Sequence, residues 1–172
     1  ASDAPIIKVE TKQPGLVSAA FGVALPLSFL SFENVDVDSS DWRTDWIQVD
    51  LHAKIGSLRI NAAFAQKSNI FILNDNSTSE AGVIKLLGKD EDISSFLQGE
   101  HLVYSVTSDN LLQYNLQSIN DTLSVTAFHG SSGEHNNMTA SADVIIEVAL
   151  SVLPPMVVTQ SSPVIGREDT PL

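Results

Sequence analysis

Alternation constrains this chain more than any other feature. Ile47, Val49 and Leu51 alternate with Gln48, Asp50 and His52. A strand turns successive side chains to opposite faces, so this stretch has one dry face and one wet one. The period recurs at Leu58 and Ile60, at Leu102, Tyr104 and Val106, at Leu112, Tyr114 and Leu116, and at Leu123, Val125 and Ala127. Residues 69–73 and 83–87 add short apolar strands, and residues 139–152 form a long last one before Pro154-Pro155. Gly56 breaks the chain between Leu51 and Leu58, so those two strands are expected to form a hairpin. One segment departs from the pattern. Ile93, Phe96 and Leu97 stand at helical spacing, with Glu91 and Asp92 before them and Gly99 after, which predicts one short helical turn. Roughly nine or ten short strands with regular turn signals predict an all-β, antiparallel β-sandwich.

Composition narrows the functions. Twenty-one acidic residues face 9 basic ones, a formal net charge of −12. Nucleic acid demands the opposite sign, and so do anionic membrane surfaces. No apolar run approaches the roughly 20 residues that span a bilayer, so no membrane insertion is expected. With no cysteine, disulfides, thiolate catalysis and cysteine-ligated zinc are excluded. The string Gly-x-Ser-x-Gly, the Walker loop and Gly-x-Gly-x-x-Gly are all absent from the sequence, and a non-enzyme is expected.

The two ends echo each other. Pro5 opens Ile6-Ile7-Lys8-Val9, and Pro155 opens Met156-Val157-Val158-Thr159, an offset of 150 residues. Each leads through a Pro/Gly/Ser stretch into Leu25-Pro26-Leu27 or Thr170-Pro171-Leu172. The expectation is a linker seen twice around one unit of a tandem array, in a processed or excised fragment. The divisions are residues 1–23 as linker or N-terminal strand, 24–153 as the sandwich, and 154–172 as the linker into the next repeat.

In order, Phe32-Glu33-Asn34-Val35-Asp36-Val37-Asp38-Ser39, Gly56-Ser57-Leu58-Arg59-Ile60, the helical turn, Leu102-Val103-Tyr104, Asp121-Thr122-Leu123-Ser124-Val125 and a Gly-containing loop precede the last strand, and Glu168-Asp169-Thr170-Pro171-Leu172 follows. In that order the chain resembles the cadherin-like or immunoglobulin-like tandem repeats of large surface adhesins. The resemblance implies an extracellular or cell-surface location and a non-catalytic structural or adhesive role. Neighbouring repeats, and a surface or matrix protein or glycan, would be the partners. The linker after Pro155 lacks the Asp-x-Asn-Asp-Asn string of true cadherins.

Asp36, Asp38, Asp41 and Asp45 fall within ten residues beside Glu33. Calcium takes six to eight oxygens, and alternate aspartates in an extended turn share a face. Calcium is the expected cofactor, with Glu168 and Asp169 adding ligands at a repeat boundary. The plainer reading is a solvated acidic turn. Trp42 and Trp46 share a face in a strand and could stack on sugar rings; the plainer reading is that they cap the core edge. His129, Glu134 and His135 could ligate a transition metal, although no helix is expected there to set the geometry; His52 and His101 carry no pattern. Asn76, Asn120 and Asn137 head sequons for N-glycosylation. A glycan-binding module and a strand-donating assembly subunit, using residues 139–152, are the alternatives to a spacer. A spacer is expected to be monomeric.

Overall fold

The structure is a computed structural model that describes residues 4–35, 46–74, 82–107, 118–129 and 139–150. The chain folds as a β-sandwich. One layer is a six-stranded sheet in the order β2-β11-β10-β5-β8-β7, built from β2 (Leu16–Ala20), β5 (Trp46–Ala53), β7 (Phe71–Ile72), β8 (Val83–Lys89), β10 (Ser118–His129) and β11 (Thr139–Ala149). The facing layer contains β3 (Leu25–Pro26), β6 (Ser57–Ile60) and β9 (Leu102–Ser105) in the order β3-β9-β6, together with the pair β1 (Ile6–Val9) and β4 (Leu30–Glu33).

The alternation sorts residues as expected. In β10, Ile119, Leu123, Val125 and Ala127 are buried while Asn120, Thr122, Ser124 and Thr126 face out. The inward rows of β5 (Ile47, Val49, Leu51), β8 (Ile84, Leu86) and β11 (Val144, Ile146, Val148) join them in one core with Leu58, Leu102 and Tyr104 of the other layer. Burying each such side chain contributes about 1.5–3 kcal/mol relative to leaving it wet.

Two features depart from expectation. The pairing is mixed rather than wholly antiparallel, because β2 runs parallel to β11, with Leu16 opposite Ile145. β5 and β6 do not form a hairpin: β5 pairs with β8 and β10, and β6 crosses to the other layer to pair with β9. The residues before 24 supply β1 against β4 and β2 against β11.

The described residues hold two helices where one helical turn was expected. α2 (Asp90–Gln98) is the expected one, extended to nine residues. Its buried stripe is Ile93, Phe96 and Leu97, and its first turn carries Asp90, Glu91 and Asp92 against the positive end of the helix dipole. α1 (Ala62–Lys67) was not expected. The Asn61 side chain caps it by accepting from Phe64 N–H at 3.1 Å. Asn69, at φ 60°, ends it in the left-handed region that asparagine tolerates.

α2 packs along β4 and takes the place of a neighbouring strand. Phe32 N–H donates to Ser94 Oγ at 2.9 Å, and the same hydroxyl donates to the Phe32 carbonyl at 3.2 Å. Asn34 N–H donates to Asp90 Oδ2 at 2.8 Å. Two helix side chains thus satisfy backbone groups that a strand would otherwise meet.

Candidate functional site

The most concentrated polar chemistry among the described residues lies inside the sandwich, at Asp121. Its side chain belongs to the inward row of β10 and is fully buried. Burying a carboxylate costs several kcal/mol unless hydrogen bonds replace its water. Here four donors converge. Ile55 N–H and Thr122 N–H donate to Oδ1, each at 2.8 Å, and Gly56 N–H and Tyr104 Oη donate to Oδ2, each at 2.7 Å.

These donors come from different parts of the fold. Asp121 stands in the six-stranded sheet and Tyr104 in the three-stranded one. Ile55 and Gly56 form the crossing between β5 and β6. One carboxylate therefore ties both layers and the segment joining them. It also explains the absent hairpin, since the N–H groups of a would-be β-turn go to Asp121 instead. Gly56 is required by space. A Cβ built there would lie 2.5 Å from Tyr104 Cε2, so the ring covers the place where a side chain would stand. The Tyr104 hydroxyl is held protonated: burial pushes its pKa well above the usual phenol value, and the hydrogen bond to Asp121 adds to the rise. The arrangement is closed to solvent and its acceptors are occupied, so it clamps rather than reacts.

A second cluster lies on the outer face of the six-stranded sheet. Trp46 stacks on Phe71, with ring centroids 5.6 Å apart and planes 25° apart. Phe71 is 55% exposed and Leu73 46%. Ladder register puts Phe71, Leu87, Gln48 and Phe128 in one row across β7, β8, β5 and β10. Gln48 Nε2 donates to Asp50 Oδ1 at 2.9 Å beside them. The outer face therefore carries apolar rings with an amide and a carboxylate alongside. Trp46 was a candidate in the sequence; Phe71 as its partner was not, because only the pairing of β7 with β8 brings position 71 within reach.

A third aromatic group sits at the end of α2. His101 stacks on Phe64 at 3.7 Å between centroids and leans on Phe96 at 5.3 Å. His129, at the end of β10, is buried, and His52 is exposed. Asn120, of the sequon Asn120-Asp121-Thr122, is exposed on the outer face of β10 opposite Glu147.

The remaining sequence-predicted positions lie outside the described residues. These are Asp36, Asp38, Asp41 and Asp45 of the acidic cluster, Glu168 and Asp169, Trp42, Glu134 and His135, and the sequon asparagines Asn76 and Asn137. Among the described residues no group of three or more His, Asp and Glu side chains could hold a metal ion, and no helix is long and apolar enough to cross a membrane. Sequence reasoning gave Asp121 no role of its own, placing it only in a sequon and in the Asp121-Thr122-Leu123-Ser124-Val125 string of the resemblance. The signal was present: Ile119, Asp121, Leu123, Val125 and Ala127 share one face, so the acid stands in a core register.

No protein-family model and no curated protein matches the sequence. Among solved structures, the chain is similar to a chain of the crystal structure of the Coh-OlpC-Doc435 complex, a type I cohesin–dockerin complex from Clostridium thermocellum. Identity is 14% and the TM-score 0.42, over 87% of this chain and 96% of that one. That is a loose likeness of shape and assigns no family.

Proposed function

We propose that this chain is a non-catalytic structural or adhesive repeat of an extracellular or cell-surface protein, of the cadherin-like or immunoglobulin-like kind. The observation that carries the reading is the Asp121 clamp. A buried carboxylate bonded to both layers and their crossover makes the sandwich resist sliding of one layer over the other, which is what a load-bearing spacer needs. The most polar buried group of the described residues is committed to holding the body together. Neighbouring repeats of the same chain are the immediate partners in this reading, and the charge of −12 keeps an extended array soluble and uncollapsed.

Single-molecule pulling on a concatenated form tests it. The expected trace has one resisting peak per unit, lowered by Asp121→Asn. Extension without a resisting peak would overturn the spacer role. Calcium at Asp36, Asp38 and Asp41, joined by Glu168 and Asp169, is the proposed stiffening cofactor, because a divalent cation relieves repulsion between carboxylates. Added calcium then raises the melting temperature, and an unchanged melt with calcium or chelator removes the metal from the proposal.

A second reading is a glycan-binding module, favoured by the Trp46–Phe71 pair beside Gln48 and Asp50 on the outer face. A glycan array separates the two readings, since a spacer binds nothing on it. Occupancy of the Asn120, Asn76 or Asn137 sequons, read by mass spectrometry after eukaryotic expression, would mark secretory passage.

A further inference from the structure

Among the described residues the six-stranded sheet ends at β2, and no strand covers that edge. The parallel ladder to β11 uses alternate residues of β2. The Gly15 carbonyl accepts from Ile145 N–H at 2.8 Å, and Phe21 N–H donates to the Ala149 carbonyl at 3.0 Å. Val17 and Ala19, between them and in register with Ile146 and Val148, face β11 in the same way. Leu16, Ser18 and Ala20 therefore aim their backbone groups outward. Turns use two of these six groups: Leu16 N–H donates to the Gln13 carbonyl at 3.0 Å, and the Ala20 carbonyl accepts from Val23 N–H at 3.1 Å. The Leu16 carbonyl, both groups of Ser18 and the Ala20 N–H have no partner among the described residues. By contrast β11, the candidate under the strand-donating alternative, is paired on both sides, with β10 and with β2.

We infer that β2 pairs antiparallel with β2 of a second copy across a two-fold axis at Ser18. In that register the two Ser18 residues exchange N–H···O bonds, and each Ala20 N–H meets the Leu16 carbonyl of the other copy. The four unspent groups are used, and none is left over. The turn bonds at each end stop the ladder from lengthening, so the product is a closed pair. The edge lacks the usual guards: Leu16, Val17, Ser18, Ala19 and Ala20 include no charge and no proline. A groove of about 490 Å³, lined by Lys12, Gln13, Leu16, Ser18, Phe29 and Glu147 among others, opens beside the Leu16 half. The antiparallel register brings the second copy's Ala20–Val23 turn over that groove, and Val23 is 58% exposed. The net charge of −12 opposes the approach, so salt strengthens the pair by screening. The inference goes beyond the spacer reading and does not rest on it, because a spacer need not associate sideways.

Sedimentation equilibrium on the whole chain tests it, from micromolar to millimolar protein, at low salt and at about 1 M, where the screening length is ~3 Å. The weight-average mass is expected to rise from 18.5 kDa towards twice that value, and at lower protein concentration in high salt. Ser18→Pro removes an N–H that the monomer does not use. It is expected to weaken association about thirtyfold, by loss of two backbone hydrogen bonds, with an unchanged melt. Should the proline disturb folding, Ser18→Lys sets two ammonium groups at the axis while keeping every backbone group, and is also expected to give monomers. A monomer at every concentration overturns the inference and leaves the edge to a strand from a different protein. A dimer that survives both substitutions overturns it, as does association beyond two copies.

Discussion

Asp121 and Ser94 do similar work in different surroundings. Each side chain hydrogen-bonds backbone from a distant part of the chain, at 2.7–2.8 Å for Asp121 and 2.9–3.2 Å for Ser94. Asp121 is charged, fully buried and shared by two layers. Ser94 is neutral, half-buried and local to the seam between α2 and β4. Similar bond lengths conceal unequal consequences. Water can reach the α2 seam and replace a lost bond. It cannot reach Asp121 without opening the sandwich, so removing that carboxylate strands several donors together. Burial, more than geometry, decides which pin matters.

The sharpest way to break this comparison is Asp121→Ala. It leaves the Gly56 N–H and the Tyr104 hydroxyl buried without their carboxylate acceptor, and is expected to cost about 2–5 kcal/mol in urea unfolding, since each stranded donor costs about 1–3 kcal/mol. A loss below about 1 kcal/mol would mean that the carboxylate contributes no net stability. Next comes Gly56→Ala. The new methyl meets the Tyr104 ring at 2.5 Å, and overpacking costs typically 1–3 kcal/mol. An unchanged melt would show that the ring can step aside.

Tyr104→Phe keeps the ring and deletes one donor, for an expected loss of about 1–1.5 kcal/mol. The same hydroxyl sets an alkaline limit. Its folded pKa is raised above the unfolded value of about 10, so the folded state holds the proton more tightly. The resulting stability is complete below pH ~10 and is lost as pH rises above it. Ultraviolet absorbance during a base titration should show Tyr104 ionising only as the protein unfolds. Ionisation of both tyrosines without unfolding would refute the buried donor. The smallest effect belongs to Ser94→Ala, about 0.5–1 kcal/mol in the same urea assay. Parity with Asp121→Ala would erase the contrast between the two pins.

The sequence carried the fold where burial alone decides it. In β5, β8 and β10 every second side chain meets the core, so period two was enough. It carried α2 for the same reason, since Ile93, Phe96 and Leu97 make one dry stripe. It failed at β5 and β6 because Gly56 marks a break without saying where the chain goes next. The direction comes from Asp121, which lies 65 residues further on and accepts from that very N–H. α1 was missed although Ala62, Ala63, Ala65, Gln66 and Lys67 are good helix formers and Asn61 is a cap. Six residues are too few for a readable apolar stripe, and only Ala65 is buried. Of the site, Trp46 was legible only as an aromatic that could stack on a ligand or cap the core edge. Its contact with Phe71 was not, because neighbours in a sheet are set by strand order and not by distance along the chain.

The parallel pairing of β2 with β11 sets a timetable for synthesis. Leu16 waits for Ile145, 129 positions later. A ribosome adding about 5–20 residues per second has β2 in the open for roughly 6–26 seconds before its partner can exist. The six-stranded sheet therefore cannot finish assembling until nearly all of the described chain has been made. During that wait a segment of leucine, valine, serine and alanine stands exposed on both edges, and it is where a nascent chain of this protein most needs a chaperone.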